Sequence, residues 1–349
     1  MTQDLVFTQQ GQLGVITLNR PNALNALTLA MIQELQKQLL LWKKNNEIKA
    51  VAVRAVPGNA FCAGGDVRWL YQLGVQGLQE QMEFFWHEYR LNHFIHHLGK
   101  PYIALMDGIT MGGGVGISLH GSHPIASERF IFAMPETSIG FFPDIGSSHF
   151  LTQCHDSLGV YLGLTGNRLN PYEAKNAGLV KGVIASEQMP LVLEELTQLD
   201  LTKNAYEQVD RCLAPFLQEK DSPVASISTI KVCFALETVE AIFQALNKHE
   251  DSWAQELSKN LRKKSPFSLK LSLAQLQKAR GLSLADCLKM DFDLVRHFMS
   301  DHDFYEGVRA LLIDKDKNPQ WDPSNLDLVS EAKIIAYFEP SAKRLEFIE

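Results

Sequence analysis

The sequence lacks a long apolar run: no uninterrupted apolar stretch among its 349 residues is long enough to span a bilayer. Its first residues, MTQDLVFTQQGQLG, have neither a basic segment before an apolar run nor the Arg- and Ser-rich composition of a transit peptide. Cysteines are few, odd in number and without a Cys-x-x-Cys pair, which argues against a disulfide framework. We therefore predict a cytoplasmic globular protein that does not associate with membranes.

Basic charge is also scarce. The formal net charge of −7 argues against a nucleic-acid-binding surface. His93, His96 and His97 share a helical face, but no Glu or Cys follows at the spacing of a metal site, so we predict no metal. The run Arg262–Lys264 is predicted to be a solvated basic patch.

Strand and helix patterns alternate in the first half of the chain. Strands are predicted at 5–7, 13–18, 50–56 and 102–108, and Thr28 is a good N-cap for a helix that ends near Lys44. Alternation of this kind through residue 185 is typical of βαβ crossover units. Beyond a boundary at 185–200, helical patterns dominate, at 187–199, 235–248, 251–262, 266–279, 283–300 and 303–313. We therefore predict an α/β protein with a core at 1–195 and a largely helical region at 196–349.

Two glycine-rich segments, AFCAGGD (60–66) and GITMGGGVG (108–116), each follow a predicted strand. Glycine lets a ligand approach the backbone closely, and the N–H groups at a helix start are unpaired. Two such N–H groups directed at one carbonyl oxygen form an oxyanion hole, where each donor contributes about 2.7–4 kcal/mol in the transition state. Each segment by itself is equally typical of a tightly packed turn.

Two carboxylates follow in MPETSIGFFPDIG. Glu136 comes directly after an apolar strand, and Asp144 lies among Phe141, Phe142, Pro143 and Ile145, a setting that raises the pKa of a carboxyl group by desolvation. Such a pair suits general acid–base or nucleophilic chemistry. The spacing alone is also compatible with a turn carboxylate at 136 and an N-cap at 144.

The order of four segments makes the interpretation specific. NRPNALNALT, AFCAGGD, KPYIALMDGITMGGGVG and FAMPETSIGFFPDIG follow one another as in the crotonase (enoyl-CoA hydratase/isomerase) superfamily, which the chain resembles over essentially its whole length. SPFSLKLSL (265–273) and HDFYEGVRALLIDKDKNPQW (302–321) are similar to the 3-hydroxyisobutyryl-CoA hydrolase subgroup. The resemblance implies a spiral core of ββα units, with a helical C-terminal region that completes or caps the acyl pocket.

The resemblance also implies the site residues. The N–H groups of Gly65 and Gly113 correspond to the oxyanion donors, and Glu136 and Asp144 correspond to the catalytic carboxylates. Gly113, Glu136, Asp144 and Glu88 would bind the substrate. From composition alone, Glu88 in EFFWHEYRLNHF is equally typical of a solvated helix face.

One position departs from the hydratases of the superfamily. They carry a second catalytic glutamate where this chain has Gly116, which favours thioester hydrolysis over water addition to a double bond. The expected substrate is a short 3-hydroxyacyl-CoA, with 3-hydroxyisobutyryl-CoA favoured, which implies a place in valine catabolism. Glu136 would either attack the carbonyl carbon or deprotonate water, and the sequence does not separate these routes.

No metal or redox cofactor is implied by the resemblance, because coenzyme A enters as part of the substrate. A homo-oligomer is compatible with the superfamily, although the long C-terminal region could block its usual assembly. Two other functions stay open: an enoyl-CoA hydratase or isomerase on the same fold, and a non-catalytic platform that binds acyl-CoA or RNA.

Overall fold

The computed structural model describes residues 4–78, 80–220, 222–340 and 342–348. Nine strands form within these ranges: β1 (Leu5–Gln10), β2 (Leu13–Leu18), β3 (Ala50–Ala55), β4 (Ala60–Cys62), β5 (Tyr102–Met106), β6 (Ile109–Met111), β7 (His123–Ala126), β8 (Ile131–Ala133) and β9 (Gly182–Val183). Six of them form one sheet in the order β1-β2-β3-β5-β7-β9, in which β1 is antiparallel to β2 and the other pairs are parallel. A second, parallel sheet contains β4, β6 and β8. The predicted α/β architecture is therefore present.

Sixteen helices are found in the same part of the chain. Seven precede β9: α1 (Leu29–Lys44), α2 (Val67–Val75), α3 (Glu80–His96), α4 (Gly113–Leu119), α5 (Ser147–Leu151), α6 (Leu158–Thr165) and α7 (Pro171–Asn176). Nine follow it: α8 (Met189–Gln198), α9 (Ala205–Leu213), α10 (Ile227–Cys233), α11 (Val239–Lys248), α12 (Ser252–Leu261), α13 (Pro266–Lys278), α14 (Leu284–Phe298), α15 (His302–Val308) and α16 (Glu331–Tyr337). A single π-helical turn, Arg309–Ile313, continues α15. None of the helices so described is long and apolar enough to cross a bilayer.

Alternating side chains of the large sheet pack in two layers. In β2, Leu13 and Val15 face one apolar cluster, whereas Ile16 and Leu18 face the other. Helices α8 and α9 cover the first face, and α1 and α3 belong to the cluster on the second. The strands between these two helical layers are buried on both faces. Their sequences are therefore continuous apolar runs rather than alternating apolar and polar residues.

Two residues outside α1, the N-cap Thr28 and Gly14 of β2, determine where this helix begins and how closely it packs on the sheet. Thr28 accepts a hydrogen bond from the N–H of Met31 at 3.2 Å, as its N-cap position predicts. Trp42 lies over Gly14 of β2, where an added β-carbon would be 2.8 Å from the indole ring. A side chain at position 14 would therefore push α1 away from the sheet.

The helical patterns predicted after residue 185 correspond to α8 and α11–α15 with the π-helical turn. The division at residue 195 stays a prediction, and residue 195 itself lies within α8. Two elements near the site were not predicted. β4 lies within the first glycine-rich segment, 60–66, and α2 begins directly after that segment.

Candidate active site

A cavity of about 290 Å³ lies where the small sheet meets α2, α3 and α15. Both glycine segments and all three predicted carboxylates contribute to its wall. Apolar residues form most of the remainder: Val67, Leu70, Phe84, Phe85, Ile139, Phe141, Phe304, Leu311 and Leu312. The last three come from α15 and the π-helical turn, so the C-terminal half of the chain closes one side of the cavity.

The first glycine segment places Gly65 on the wall of this cavity. The segment turns away from β4, and Leu27 bonds to the peptide groups on both sides of Gly65. In the described ranges, the N–H of Gly65 itself donates to no backbone carbonyl. A β-carbon at this position would lie 2.8 Å from Cζ of Phe84, so the phenyl ring packs directly on the glycine.

The second glycine segment turns sharply at Gly112, whose φ of 47° and ψ of −123° suit glycine. Gly113 is the first residue of α4, where an N–H has no intrahelical acceptor. A β-carbon on Gly113 would lie 3.3 Å from the nitrogen of Gly65, and it would overlap Oε1 of Glu88. The two predicted donor residues, Gly65 and Gly113, are thus adjacent on one wall, and their role as an oxyanion hole stays a prediction.

Glu136 begins a 3₁₀ turn, Glu136–Ile139, just after β8 ends. Its side chain is 7% exposed, and Oε1 lies 3.0 Å from where a β-carbon on Gly112 would be. Its other oxygen, Oε2, has no hydrogen-bond partner in the described part of the chain. Burial and the neighbouring charge of Asp144 raise the pKa of Glu136 well above its usual range. A carboxylate with a raised pKa and an unpaired oxygen can act as a base or as a nucleophile.

Asp144 lies in the loop between the 3₁₀ turn and α5, and its side chain is 5% exposed. The hydroxyl of Tyr89 donates to Oδ2 of Asp144 at 2.7 Å. Burial raises the pKa of Asp144 to about 7, although the bond from Tyr89 acts in the opposite direction. Near neutral pH this carboxyl group can therefore hold or release a proton.

Glu88 precedes Tyr89 on α3 and is 2% exposed, which excludes the solvated helix face that composition alone allowed. Oε1 of Glu88 also has no hydrogen-bond partner among the described residues. Its pKa is raised by burial first, and then by the charges of Asp144 and Glu136. Since three carboxyl groups share a low-dielectric pocket, they resist being ionised together.

Position 116 faces α3 rather than open space. A β-carbon on Gly116 would lie 2.7 Å from Nδ2 of Asn92, a fully buried side chain one helical turn beyond Glu88. Asn92 therefore occupies the space into which a longer side chain at position 116 would extend. A carboxylate at position 116 would therefore require the side chain of Asn92 to move.

Lys264 was predicted to belong to a solvated patch, and this prediction is wrong. The residue is 9% exposed, and its ammonium group donates to the hydroxyl of Ser138, two residues after Glu136 on the cavity wall. Burial lowers the pKa of Lys264 to about 8, while attraction to Glu136 acts to raise it. No local pattern predicts this contact, because residues 138 and 264 are far apart along the chain.

The histidines do not form a metal centre. No group of three or more His, Cys, Asp or Glu side chains in the described ranges could hold a metal ion. Instead, the ring of His93 stacks on His97 and on Phe347, with centroid distances of 4.1 and 3.8 Å. His120 is buried, and its Nε2–H donates to the carbonyl of Ile145 at 2.7 Å.

Comparison with known proteins identifies the family to which the chain belongs. The model of the enoyl-CoA hydratase/isomerase family matches residues 13–338. The chain belongs to this family. Relatives named "3-hydroxyisobutyryl-CoA hydrolase, mitochondrial" include one from Xenopus tropicalis, 41% identical across 96% of this chain and 88% of the relative. The one from Homo sapiens is 39% identical across 97% of this chain and 89% of the relative. The predicted resemblance to the crotonase superfamily and its hydrolase subgroup is thereby confirmed.

Two solved structures of this family confirm the predicted crotonase-like fold. A carnitinyl-CoA dehydratase from Mycobacterium thermoresistibile is 32% identical, with a TM-score of 0.91 over 99% of both chains. An enoyl-CoA hydratase from Rhodobacter sphaeroides is also 32% identical, with a TM-score of 0.88 over 99% of this chain and 100% of the other. Since both cover nearly the whole chain, the helical C-terminal half is part of the shared fold.

The predicted cytoplasmic location is wrong, because the hydrolase relatives are named as mitochondrial proteins. The prediction depended on free thiols and on the composition of the first residues, and the names of relatives at 39–41% identity outweigh both. The predicted homo-oligomer stays a prediction.

Proposed function

We propose that this protein hydrolyses a short 3-hydroxyacyl-CoA thioester, with 3-hydroxyisobutyryl-CoA as the favoured substrate. The products are the free hydroxy acid and coenzyme A, which places the reaction in valine catabolism. The observation that carries the proposal is the arrangement of carboxylates: Glu136 and Asp144 share the cavity of the two glycine segments, while Asn92 fills the space beside Gly116. The names of the relatives agree with this assignment.

In the proposed mechanism, the N–H groups of Gly65 and Gly113 bind the thioester oxygen as it gains negative charge. Glu136 then acts through its unpaired oxygen. In one route this oxygen attacks the carbonyl carbon and gives a mixed anhydride. In the other it removes a proton from a water molecule, which attacks that carbon. In both routes the C–S bond breaks, coenzyme A leaves as a thiol, and a water molecule is consumed. Neither route needs a metal or a redox cofactor.

Asp144 and Glu88 act on the other parts of the substrate. With one oxygen held by Tyr89, Asp144 uses the other to orient the 3-hydroxyl group or to transfer a proton. Glu88 contacts the substrate next to Gly113, because its Oε1 lies beside that residue. Apolar cavity residues such as Phe141 and Phe304 exclude water around the acyl chain.

A lyase on the same fold is the second candidate function, since the two solved structures are titled as a dehydratase and a hydratase. Water addition to an enoyl-CoA would require two carboxylates that hold a water molecule and transfer its protons. Oε1 of Glu88 lies beside Gly113 and Oε1 of Glu136 lies beside Gly112, so a lyase would pair these two carboxylates.

A thiol-reactive dye distinguishes the two functions. We expect thiol release from 3-hydroxyisobutyryl-CoA, and slower release from esters without a 3-hydroxyl group. Loss of enoyl absorbance from an enoyl-CoA with no thiol released would establish the lyase instead. Binding of the esters without either signal would indicate a non-catalytic platform.

A further inference from the structure

The loop that carries Asp144 adopts a conformation that its sequence disfavours. Ile145 has a φ of 57° and Gly146 a φ of 71°, so two consecutive residues are left-handed. Glycine adopts this conformation freely, but for a β-branched side chain such as that of Ile145 it is a strained outlier. Strain of this kind persists only where surrounding contacts fix the backbone.

Those contacts come from two helices in the C-terminal half of the chain. Asp291 of α14 accepts a hydrogen bond from the N–H of Gly146 at its Oδ2, at 2.7 Å. Its Oδ1 accepts from Nε2 of Gln275 on α13, also at 2.7 Å. The same nitrogen of Gln275 donates to the carbonyl of Pro143 at 2.9 Å. Asp291 and Gln275, which we call the loop clamp, thus bind the peptide groups on both sides of Asp144.

The loop clamp is buried, and within the described residues its side-chain hydrogen bonds go only to the loop and between its two members, while Oε1 of Gln275 has no partner. Both side chains are 0% exposed. Burying a carboxylate costs energy, and an apolar pair of the same volume would fill the space at lower cost. Both oxygens of Asp291 are nevertheless paired, because Oδ2 accepts the N–H of Gly146 in the loop and Oδ1 accepts from Nε2 of Gln275. Packing alone does not account for this arrangement.

The side chain of Asp144 is fixed separately. Tyr89 of α3 holds its Oδ2, and Tyr89 is itself fully buried. His120 holds the carbonyl of Ile145 at 2.7 Å. With the backbone fixed by α13 and α14 and one carboxylate oxygen fixed by α3, the remaining oxygen of Asp144 has a single orientation.

We propose that Asp291 and Gln275 are positioning residues, which hold the strained loop so that the unbound oxygen of Asp144 faces the substrate. The inference rests on the proposed function, since it gives the C-terminal helices a part in that reaction. They would then fix the geometry of a catalytic group as well as enclosing the acyl chain.

Asp291→Asn is the sharpest perturbation. An asparagine has one oxygen, so it can accept from Gly146 or from Gln275 but not from both. We expect kcat for thiol release to fall about 10- to 100-fold while KM changes little, because a displaced catalytic group costs rate rather than binding. Gln275→Met, which removes both bonds of the glutamine at similar volume, should have the same effect.

A double-mutant cycle separates positioning from general damage. In an Asp144→Asn background, Asp291→Asn should lower kcat by less than about twofold, because the group it positions is already gone. An equal loss in both backgrounds, or a wild-type kcat in folded Asp291→Asn, would overturn the inference. Thr238→Ala, which removes the N-cap of α11 far from the loop, is the control for lost stability and should leave kcat unchanged.

Hydrogen exchange tests the loop clamp without any turnover. Exchange of the Gly146 N–H should be at least about tenfold faster in Asp291→Asn and Gln275→Met than in Thr238→Ala. Unchanged exchange overturns the inference whether or not the wild type is a hydrolase. Conversely, faster exchange in a protein that releases no thiol would refute the proposed function and leave the loop clamp in place.

Discussion

Asp144→Asn replaces a buried ionisable group with a neutral one of nearly the same size. The oxygen of the asparagine can still accept the hydrogen bond from Tyr89, so the packing of α3 against the loop is retained. What changes is the charge. We therefore expect this single substitution to lower turnover at least about 10²-fold and at the same time to stabilise the folded protein at pH 8.

The magnitude follows from the pKa of Asp144, which burial raises from an ordinary value of 3.8 to about 7. A shift of this size corresponds to an upper limit of about 4 kcal/mol for keeping the carboxylate ionised in the folded state. The new amide group also needs partners, which offsets part of the gain. We expect a net increase of about 1–3 kcal/mol in the free energy of unfolding, or roughly 1–4 °C in Tm.

The stability difference between the wild type and Asp144→Asn should depend on pH, and its direction follows from proton binding. Between the unfolded pKa near 4 and the folded pKa of about 7, the native wild type binds more protons than the unfolded chain, so its stability falls as pH rises. The advantage of Asp144→Asn should therefore be small at pH 4.5, grow through pH 5–7 and become constant above pH 8. Thermal unfolding of both proteins across this range measures it.

Asp301→Asn is the matched control for this experiment. Burial acts to raise the pKa of Asp301, but bonds from Lys333 and Tyr337 outweigh it and lower the pKa. Removing that carboxylate should therefore destabilise the protein above pH 4, the opposite sign. A stability difference for Asp144→Asn that does not vary with pH, or a loss of stability at pH 8, would refute the electrostatic reasoning.

Three further perturbations test the candidate site. Glu136→Gln should lower kcat at least about 10²-fold, measured by thiol release, with unchanged circular dichroism as evidence of folding. Gly113→Ala should lower kcat by a similar factor, because its β-carbon would overlap Oε1 of Glu88; a wild-type rate would show that the two do not meet. Lys264→Met should move the acidic limb of the kcat–pH profile upward, since removing the ammonium group removes an attraction that lowers the pKa of Glu136. A downward shift would contradict that assignment.

Residues within short motifs could be placed from the sequence. Gly65, Gly113, Glu136 and Asp144 each follow a strand in a segment with a recognisable order, and the structure brings all four to one cavity. The chemical roles given to them are still predictions, because a shared cavity does not by itself identify a base or a donor.

Residues that reach the site across long sequence separations could not be placed. Asp291 meets Gly146 from 145 positions away, and no local pattern encodes such a contact. One feature of the sequence could have indicated that Asp291 has a buried partner. Asp291 lies among Leu288, Phe292 and Val295 on the buried face of an amphipathic helix, where an acidic residue is costly unless it is paired. Glu88 and Asn92 show the same signal on α3.

The contact between Asn92 and Gly116 has a consequence for how reactions could interconvert on this scaffold. A glutamate introduced at position 116 alone would meet the carboxamide of Asn92 and would have to displace that side chain. A smaller residue at position 92 alone would leave a void and add no acid. We therefore expect the conversion of this protein into a paired-glutamate lyase to require changes at both positions.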